Sequence, residues 1–239
     1  MIRFSIFGIP VEVQPFFWVL SALLGGALGA NSPETIFSVV LFILAAFISI
    51  LIHELGHALT GIKLGGGSAN IVLTSFGGLA YNHGGRFNPA QRFWMVFAGP
   101  GAGFAFFIVL VAALSLFFGG ADVMSFTSFI LFGKAPIFES AELLMFLQAK
   151  PFIFIFLKHL LWINFWWGII NLLPIMPLDG GQITEIFVKP QRTVFIIGMV
   201  AACIMAALGL IWLGSIYTAV LFAYLAWTNY QNMQASGWR

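Results

Sequence analysis

The sequence predicts an all-α polytopic membrane protein of about six transmembrane helices, with short β-hairpin or re-entrant elements near the cytoplasmic face. Three observations carry that expectation. Hydrophobic residues make up 61% of the 239-residue chain and charged residues 8%, against roughly 25% charged in a soluble globular domain. The mean hydropathy is +1.02. The apolar residues gather into segments near the ~20 residues a helix needs to cross a bilayer, and 28 Phe and 8 Trp offer surface to acyl chains and to the interfacial belt. A net charge of +2 does not point to a nucleic-acid partner; it fits the basic bias of cytoplasmic loops.

The elements follow in chain order. Phe4–Pro15 alternates apolar residues on either side of Gly8 and reads as a short strand or hairpin. Residues 16–30 form the first apolar segment. Its small residues at Ala27–Ala30 suit a signal peptidase, but Glu12 and a patterned stretch stand where a signal peptide carries a short basic region, so a retained membrane helix is expected. Segment 36–62 is followed by Gly65–Gly85, a β-prone run joined to glycine turns that reads as strands or a hairpin. Segment 93–118 precedes the connection Gly119–Pro151, which contains the stretch FTSFILF and reads as loop plus an interfacial helix. Segments 152–173, 194–213 and 215–228 complete the set, with no visible repeat, linker or appended soluble domain.

Basic residues orient the chain. With Arg3 cytoplasmic, alternate loops place Lys63, Arg86, Arg92, Lys189, Arg192 and Arg239 on the same side and leave Lys134, Lys150 and Lys158 towards the far face. Both termini are therefore expected to be cytoplasmic. The lone Cys203 has no partner for an internal disulfide and is expected to pack as a small apolar side chain.

Against this background the stretch ISILIHELGHALTG, Ile48 to Gly61, requires a chemical explanation. An ionisable side chain at the bilayer centre costs about 2.5–3.5 kcal/mol on insertion scales, so it is kept with a partner or a task. His53-Glu54-Leu55-Gly56-His57 is H-E-x-x-H: residues i and i+4 share a helix face, both imidazoles can reach one metal ion, and Glu54 stands beside them as a base towards water. One zinc ion suits this set, because three protein ligands leave an open position and bring the pKa of water there to about 7.

A third ligand is required, and NLLPIMPLDGGQI (Asn171–Ile183) offers Asp179. Two prolines before it break the helix, and two glycines after it let the backbone turn tightly. The alternative role for Asp179 is an N-cap for the residues that follow. By the charge-based orientation, His53, His57 and Asp179 all lie towards the cytoplasmic ends of inward-running helices, at similar depth.

HELGH on one membrane helix with N-x-x-P-x-x-P-L-D-G-G on a later one resembles the site-2 protease family of intramembrane zinc metalloproteases. FGIPVEVQPFFW at the start, FGG at Phe76–Gly78 and AGPGAG at Ala98–Gly103 look like further landmarks of that family, so the resemblance covers nearly the whole chain. It implies a single intramembrane metalloprotease domain over 1–239 that hydrolyses a peptide bond in or next to a transmembrane segment. His53, His57 and Asp179 would then be the zinc ligands and Glu54 the general base. The form without PDZ or CBS modules looks most like the sporulation-type members, which implies a membrane-tethered protein substrate in a prokaryotic plasma membrane and leaves room for a regulatory membrane partner. One departure is Gly103, which stands where many members carry an asparagine.

Two further assignments are expected. Asn171 is a candidate for binding the oxyanion or the substrate backbone, its alternative being a hydrogen bond that ties the helix broken by Pro174. The strand-like run Ile71–Leu79, in particular Ile71, Val72, Leu73, Thr74 and Ser75, is a candidate for pairing with an extended substrate segment. His83 and His159 read as solvated or interfacial residues. Two rival classes remain. A metal transporter would not need a glutamate beside the first histidine and would offer several metal stations; a silent scaffold that binds membrane segments would not need Glu54 and Asp179 intact.

Overall fold

The alternation of apolar residues in Phe4–Pro15 does produce strands, the first of which begins earlier, at Ile2. A computed structural model describes residues 1–75, 77–212 and 214–236; Phe76, the predicted segment end at Leu213, and Arg239 lie outside the described residues. The elements are β1 (Ile2–Ile6), β2 (Ile9–Val13), α1 (Pro15–Leu24), a 3-10 turn (Ala27–Gly29), α2 (Pro33–Gly65), β3 (Ser68–Thr74), β4 (Gly77–His83), α3 (Pro89–Phe118), α4 (Gly120–Phe132), α5 (Glu142–Ala149), α6 (Pro151–Asn171), α7 (Asp179–Phe187), α8 (Gln191–Ile211) and α9 (Ile216–Ala235). They fall into two compact units, Met1–Arg86 with Ala98–Gly168, and Phe87–Phe97 with Ile169–Arg239.

Four helices, α2, α3, α6 and α8, are long and apolar enough to cross a membrane. They correspond to four of the six predicted segments. The first predicted segment falls on the ten-residue α1 and the 3-10 turn, and the last on α9, which runs on past Thr228 to Ala235. Cys203 lies on an exposed face of α8, contrary to the expected packing role: the surface of an apolar helix accepts a small thiol as readily as its interior does.

In the first unit, α2 is started by Ser32, whose hydroxyl accepts the Thr35 amide while Thr35 Oγ1 accepts the Ser32 amide, with Pro33 in the first turn. Thirty-three residues rise roughly 50 Å, so the helix outruns a hydrocarbon core of about 30 Å. It ends where Gly66 takes φ +73°. The strands then form one sheet in the order β1-β2-β3-β4, with β2 and β3 parallel and the other pairs antiparallel. Alternation turns Ile9, Val11 and Val13 of β2 and Ala69, Ile71 and Leu73 of β3 inward, against Phe17 of α1 and Ile50, Leu51 and Ala58 of α2. In β4 the residues opposite that inward set are Gly78, Ala80 and Asn82. The sheet therefore meets α2 with small side chains at one end.

The predicted interfacial helix in Gly119–Pro151 is two helices, α4 and α5, whose Val123, Phe126, Ile130, Leu143 and Leu147 pack with Leu161 of α6. Buried Asp122 ties their connection down: its carboxylate accepts the Glu139 amide at 2.6 Å and the Ser140 amide and hydroxyl at 3.1 and 2.8 Å.

In the second unit, Asn88 and Gln91 exchange side-chain and backbone hydrogen bonds at the start of α3, and Arg92 one turn on pairs with Glu185 of α7 at 2.6 Å. Helices α8 and α9 form a hairpin. Gly209 faces Thr218 and Gly198 faces Asn229 across it, with Ile175, Ala202, Phe222, Leu225 and Ala226 as its core.

The hydrogen bonds to Asp122, from the Glu139 amide first and the Ser140 hydroxyl next, hold its carboxyl below the ordinary value against the opposing effect of burial. A lowered folded value means that the contact stabilises the fold above the unfolded value of about 3.9 and is lost as pH falls through the folded one. Limited proteolysis within residues 133–141 should therefore be slow at pH 7 in the wild type and several-fold faster in Asp122→Ala, with the wild type matching the variant only below about pH 4. Equal cleavage at pH 7 would contradict this.

Candidate metal centre

The chemistry-bearing residues of the first unit lie on α2. His53 and Glu54 are buried at 4% exposure each, His57 is half-buried, and the two imidazoles converge with Nε2 atoms 3.1 Å apart. Their spacing of four residues puts them one turn apart on the same face, and the rings stand nearly perpendicular, at 80°. Tetrahedral zinc with Zn–N bonds of 2.0–2.1 Å sets neighbouring donor nitrogens roughly 3.3 Å apart. The imidazole pair therefore has the spacing of two ligands on one ion.

Glycines bring the surroundings close. A Cβ added at Gly56 would strike the Ala98 carbonyl, and one at Gly99 would fall on the His57 imidazole, so α3 crosses α2 at backbone distance beside the second histidine. On the opposite side a Cβ at Gly78 would fall on the Glu54 carboxyl, and one at Gly61 on the Asn82 amide. Strand β4 thus lies along α2 with its first residues over Glu54.

One helical turn before His53, buried Ser49 accepts a hydrogen bond from Asn164 Nδ2 of α6 at 2.8 Å, and the same amide donates to the Leu160 carbonyl at 2.8 Å. This pair fixes α2 against α6 and was not singled out from the sequence. An asparagine inside the apolar run LLWINFWW was the available signal. A Cβ at Gly103 would sit 3.7 Å from Asn164 Oδ1, so a polar atom from α6 faces the position where the family pattern carries its asparagine.

In the second unit, Asp179 is buried at 6% exposure and is the first residue of α7. Leu178 holds the cap position, which does not favour the N-cap alternative for Asp179. A Cβ at Gly180 would strike the Leu172 and Leu173 carbonyls, and one at Gly181 the Ile175 backbone. The glycine pair is what lets α7 start against its own preceding turn. Asn171 ends α6 and is buried at 8% exposure.

The candidate pairing strand is differently placed. Ile71, Val72 and Leu73 pair with Val11, Glu12 and Val13 on one side and with Ala80, Leu79 and Gly78 on the other. Thr74 ends β3 opposite Gly77, and Ser75 lies in the turn that follows. An interior strand has no free main-chain groups for a guest, which argues against Ile71–Ser75 in that role; among the described residues β4 is a terminal strand of the sheet. His83, at the far end of β4, is exposed and hydrogen-bonds Asn70 Oδ1 at 2.6 Å. His159 meets the Phe42 ring edge-on within α6 and α2.

Comparison with known proteins follows the same residues. The model of Peptidase family M50 matches residues 41–213, a stretch that contains both HELGH and LDGG. A zinc metalloprotease of Methanocaldococcus jannaschii is 30% identical over 230 residues, which are 92% of this chain and 57% of that protein. The chain thus spans little more than half the length of this relative. The solved structure of a site-2 protease from the same organism is similar in fold, with a TM-score of 0.56 at 23% identity over 96% of this chain and 94% of that one.

Substitution of the glycine behind His57 tests the imidazole pair. Gly99→Ala should displace the ring and weaken divalent-metal retention by at least tenfold, the range typical of disturbed ligand supports, whereas Gly103→Ala, where a Cβ meets nothing closer than 3.6 Å, should bind as wild type. Metal content after dialysis against graded chelator is the measurement. Equal retention by both variants would contradict the assignment.

Proposed function

The chain belongs to Peptidase family M50, and from that premise we propose that it is an intramembrane zinc metalloprotease that hydrolyses a peptide bond in or next to a transmembrane segment of a membrane-tethered protein. The observation that carries this reading is the convergence of His53 and His57 Nε2 atoms at 3.1 Å, with buried Glu54 beside them, on a helix long and apolar enough to span a bilayer. The chain is an integral membrane protein. Its proposed organisation is one metalloprotease domain over 1–239 with six apolar segments and cytoplasmic termini, in the plasma membrane of a prokaryote.

His53, His57 and Asp179 would hold one zinc ion per chain; two imidazoles and a carboxylate are a donor set that zinc accepts and that leaves it an open position. When bound, zinc supplies Lewis acidity that lowers the pKa of water to about 7 and polarises an acyl oxygen. Glu54 takes the proton from the attacking water and returns it to the leaving amine nitrogen. Its buried carboxylate on the face of α2 next to the imidazoles supports that role. Asn171, a buried amide at the end of α6, is proposed to bind the oxyanion or the substrate backbone.

A helical substrate hides its peptide bonds, so it must be held extended to be cut. The proposed holder is the outer edge of β4, whose inward residue Gly78 lies on the Glu54 carboxyl. A strand added there by main-chain hydrogen bonds runs alongside the base. Leu79, Tyr81 and His83 are exposed along the same strand and are available to side chains of the guest.

Glu54→Gln keeps shape and removes the base. Co-expression with a tethered substrate should show cleavage reduced by about 10²- to 10⁴-fold with one zinc per chain retained. Unchanged products in the variant would remove the protease reading, and transport of zinc unaffected by the substitution would favour a transporter. Proline at those positions of Leu79–Asn82 whose N–H groups point away from β3, which recur every second residue, should slow cleavage about tenfold while leaving the β3–β4 ladder in place; an unchanged rate would exclude strand addition at β4.

A further inference from the structure

Asp179 follows a break in the helical structure. α6 ends at Asn171, α7 begins at Asp179, and Pro174 and Pro177 between them bring no N–H. Carbonyls in such a break lack the partners that a continuous helix provides and must find others. Short turns take some of them: the Ile175 amide donates to Leu173, the Leu178 amide to Ile175, and the Gln182 side chain to Pro177 at 3.3 Å. The Met176 carbonyl is reached from another helix. Nδ2 of Asn229, on α9, donates to it at 2.7 Å. The same nitrogen donates to the Leu225 carbonyl one turn back at 2.8 Å, which fixes the side-chain rotamer. Asn229 has no exposed surface, and its room comes from Gly198 of α8, where a Cβ would fall on Asn229 Oδ1 and stand 3.4 Å from the Ile175 Cα.

We propose that Asn229 is a positioning residue for the metal ligand: through one amide and the Met176 carbonyl, α9 sets where the Asp179 carboxylate stands, and Gly198 provides the space in which it does so. The inference rests on the reading of Asp179 as the third zinc ligand. Asn229 touches neither metal nor substrate; it acts through three residues of main chain. The turn from Ile175 to Leu178 is closed by its own hydrogen bond at 2.8 Å, so a displacement of Met176 moves the whole turn and the start of α7 with it. Binding constellations must be held within about 0.5 Å of their productive geometry, so a moved turn bears directly on the ligand.

The test uses the full chain in detergent micelles, with zinc affinity from competition against a chromophoric chelator and Tm recorded with and without zinc. Asn229→Asp keeps the shape and removes the donor; Gly198→Ala crowds the same amide from α8. Both should bind zinc 10- to 100-fold more weakly, and the rise in Tm on adding zinc should shrink. A merely structural role would lower Tm equally with and without zinc and leave the affinity unchanged, and that result would overturn the proposal. Should Asn229→Asp not accumulate as folded protein, Gly198→Ala gives the answer by the same two readouts. Asp179→Ala separates the layers. If it binds zinc as tightly as wild type, the third-ligand reading falls. If it weakens zinc while the Asn229 and Gly198 variants do not, the present inference alone falls.

Discussion

Two imidazoles and a carboxylate on one turn of an apolar helix are costly in lipid and useless apart, and the first unit is fitted around keeping them together. Ionisable side chains inside a membrane-spanning helix are costly and are kept with a partner or a task, and a shared ion is the task proposed for the imidazole pair. The pair can share one because α-helical periodicity stacks residues 53 and 57, and because the rotation of α2 is fixed on one side by the Ser49–Asn164 hydrogen bond and on the other by the sheet. Removing either support leaves the sequence motif intact and its geometry undefined.

Close approach is the second constraint, and glycine is how the chain meets it. Gly56 and Gly99 let α3 lie against α2 beside His57, and Gly78 lets β4 lie over Glu54. In a membrane, helices gain little from hydrophobic burial against one another, so packing at backbone distance and interhelical hydrogen bonds carry much of the association. The same logic recurs in the second unit, where Gly180, Gly181 and Gly198 admit backbone or an amide where a side chain would stand. Each of these glycines removes volume where backbone, an imidazole, a carboxyl or an amide comes close.

Much of this was legible in the sequence, and the unread part has a physical reason. H-E-x-x-H is local: its meaning lies in a spacing of four on one helix. Alternation in Phe4–Pro15 and the β-prone run with glycine turns in Gly65–Gly85 mark the two stretches that hold β2, β3, β4 and most of β1, because both signals are also local. What alternation does not contain is pairing between distant segments, so the parallel join of β2 to β3 across α1 and α2, which places Ile71–Leu73 inside the sheet, was invisible. Four apolar segments found their helices to within a few residues, the starts being extended to Pro33, Pro89 and Pro151 and, for α8, to Gln191. The last predicted segment ends at Thr228, and polar residues follow it. The helix continues to Ala235, and the first residue beyond that boundary is Asn229, whose partner lies 53 positions away. Polar residues at the end of an apolar run look like the exit to water; here one of them turns inward.

The central claim is that His53, His57 and Asp179 share one zinc ion, and X-ray absorption at the zinc edge addresses it most directly when Asp179 is exchanged for a ligand of different scattering. In Asp179→Cys the account predicts two imidazoles retained and a new sulfur scatterer near 2.3 Å, the usual Zn–S distance. A spectrum indistinguishable from wild type, with no sulfur in the coordination sphere of a fully loaded protein, would contradict it.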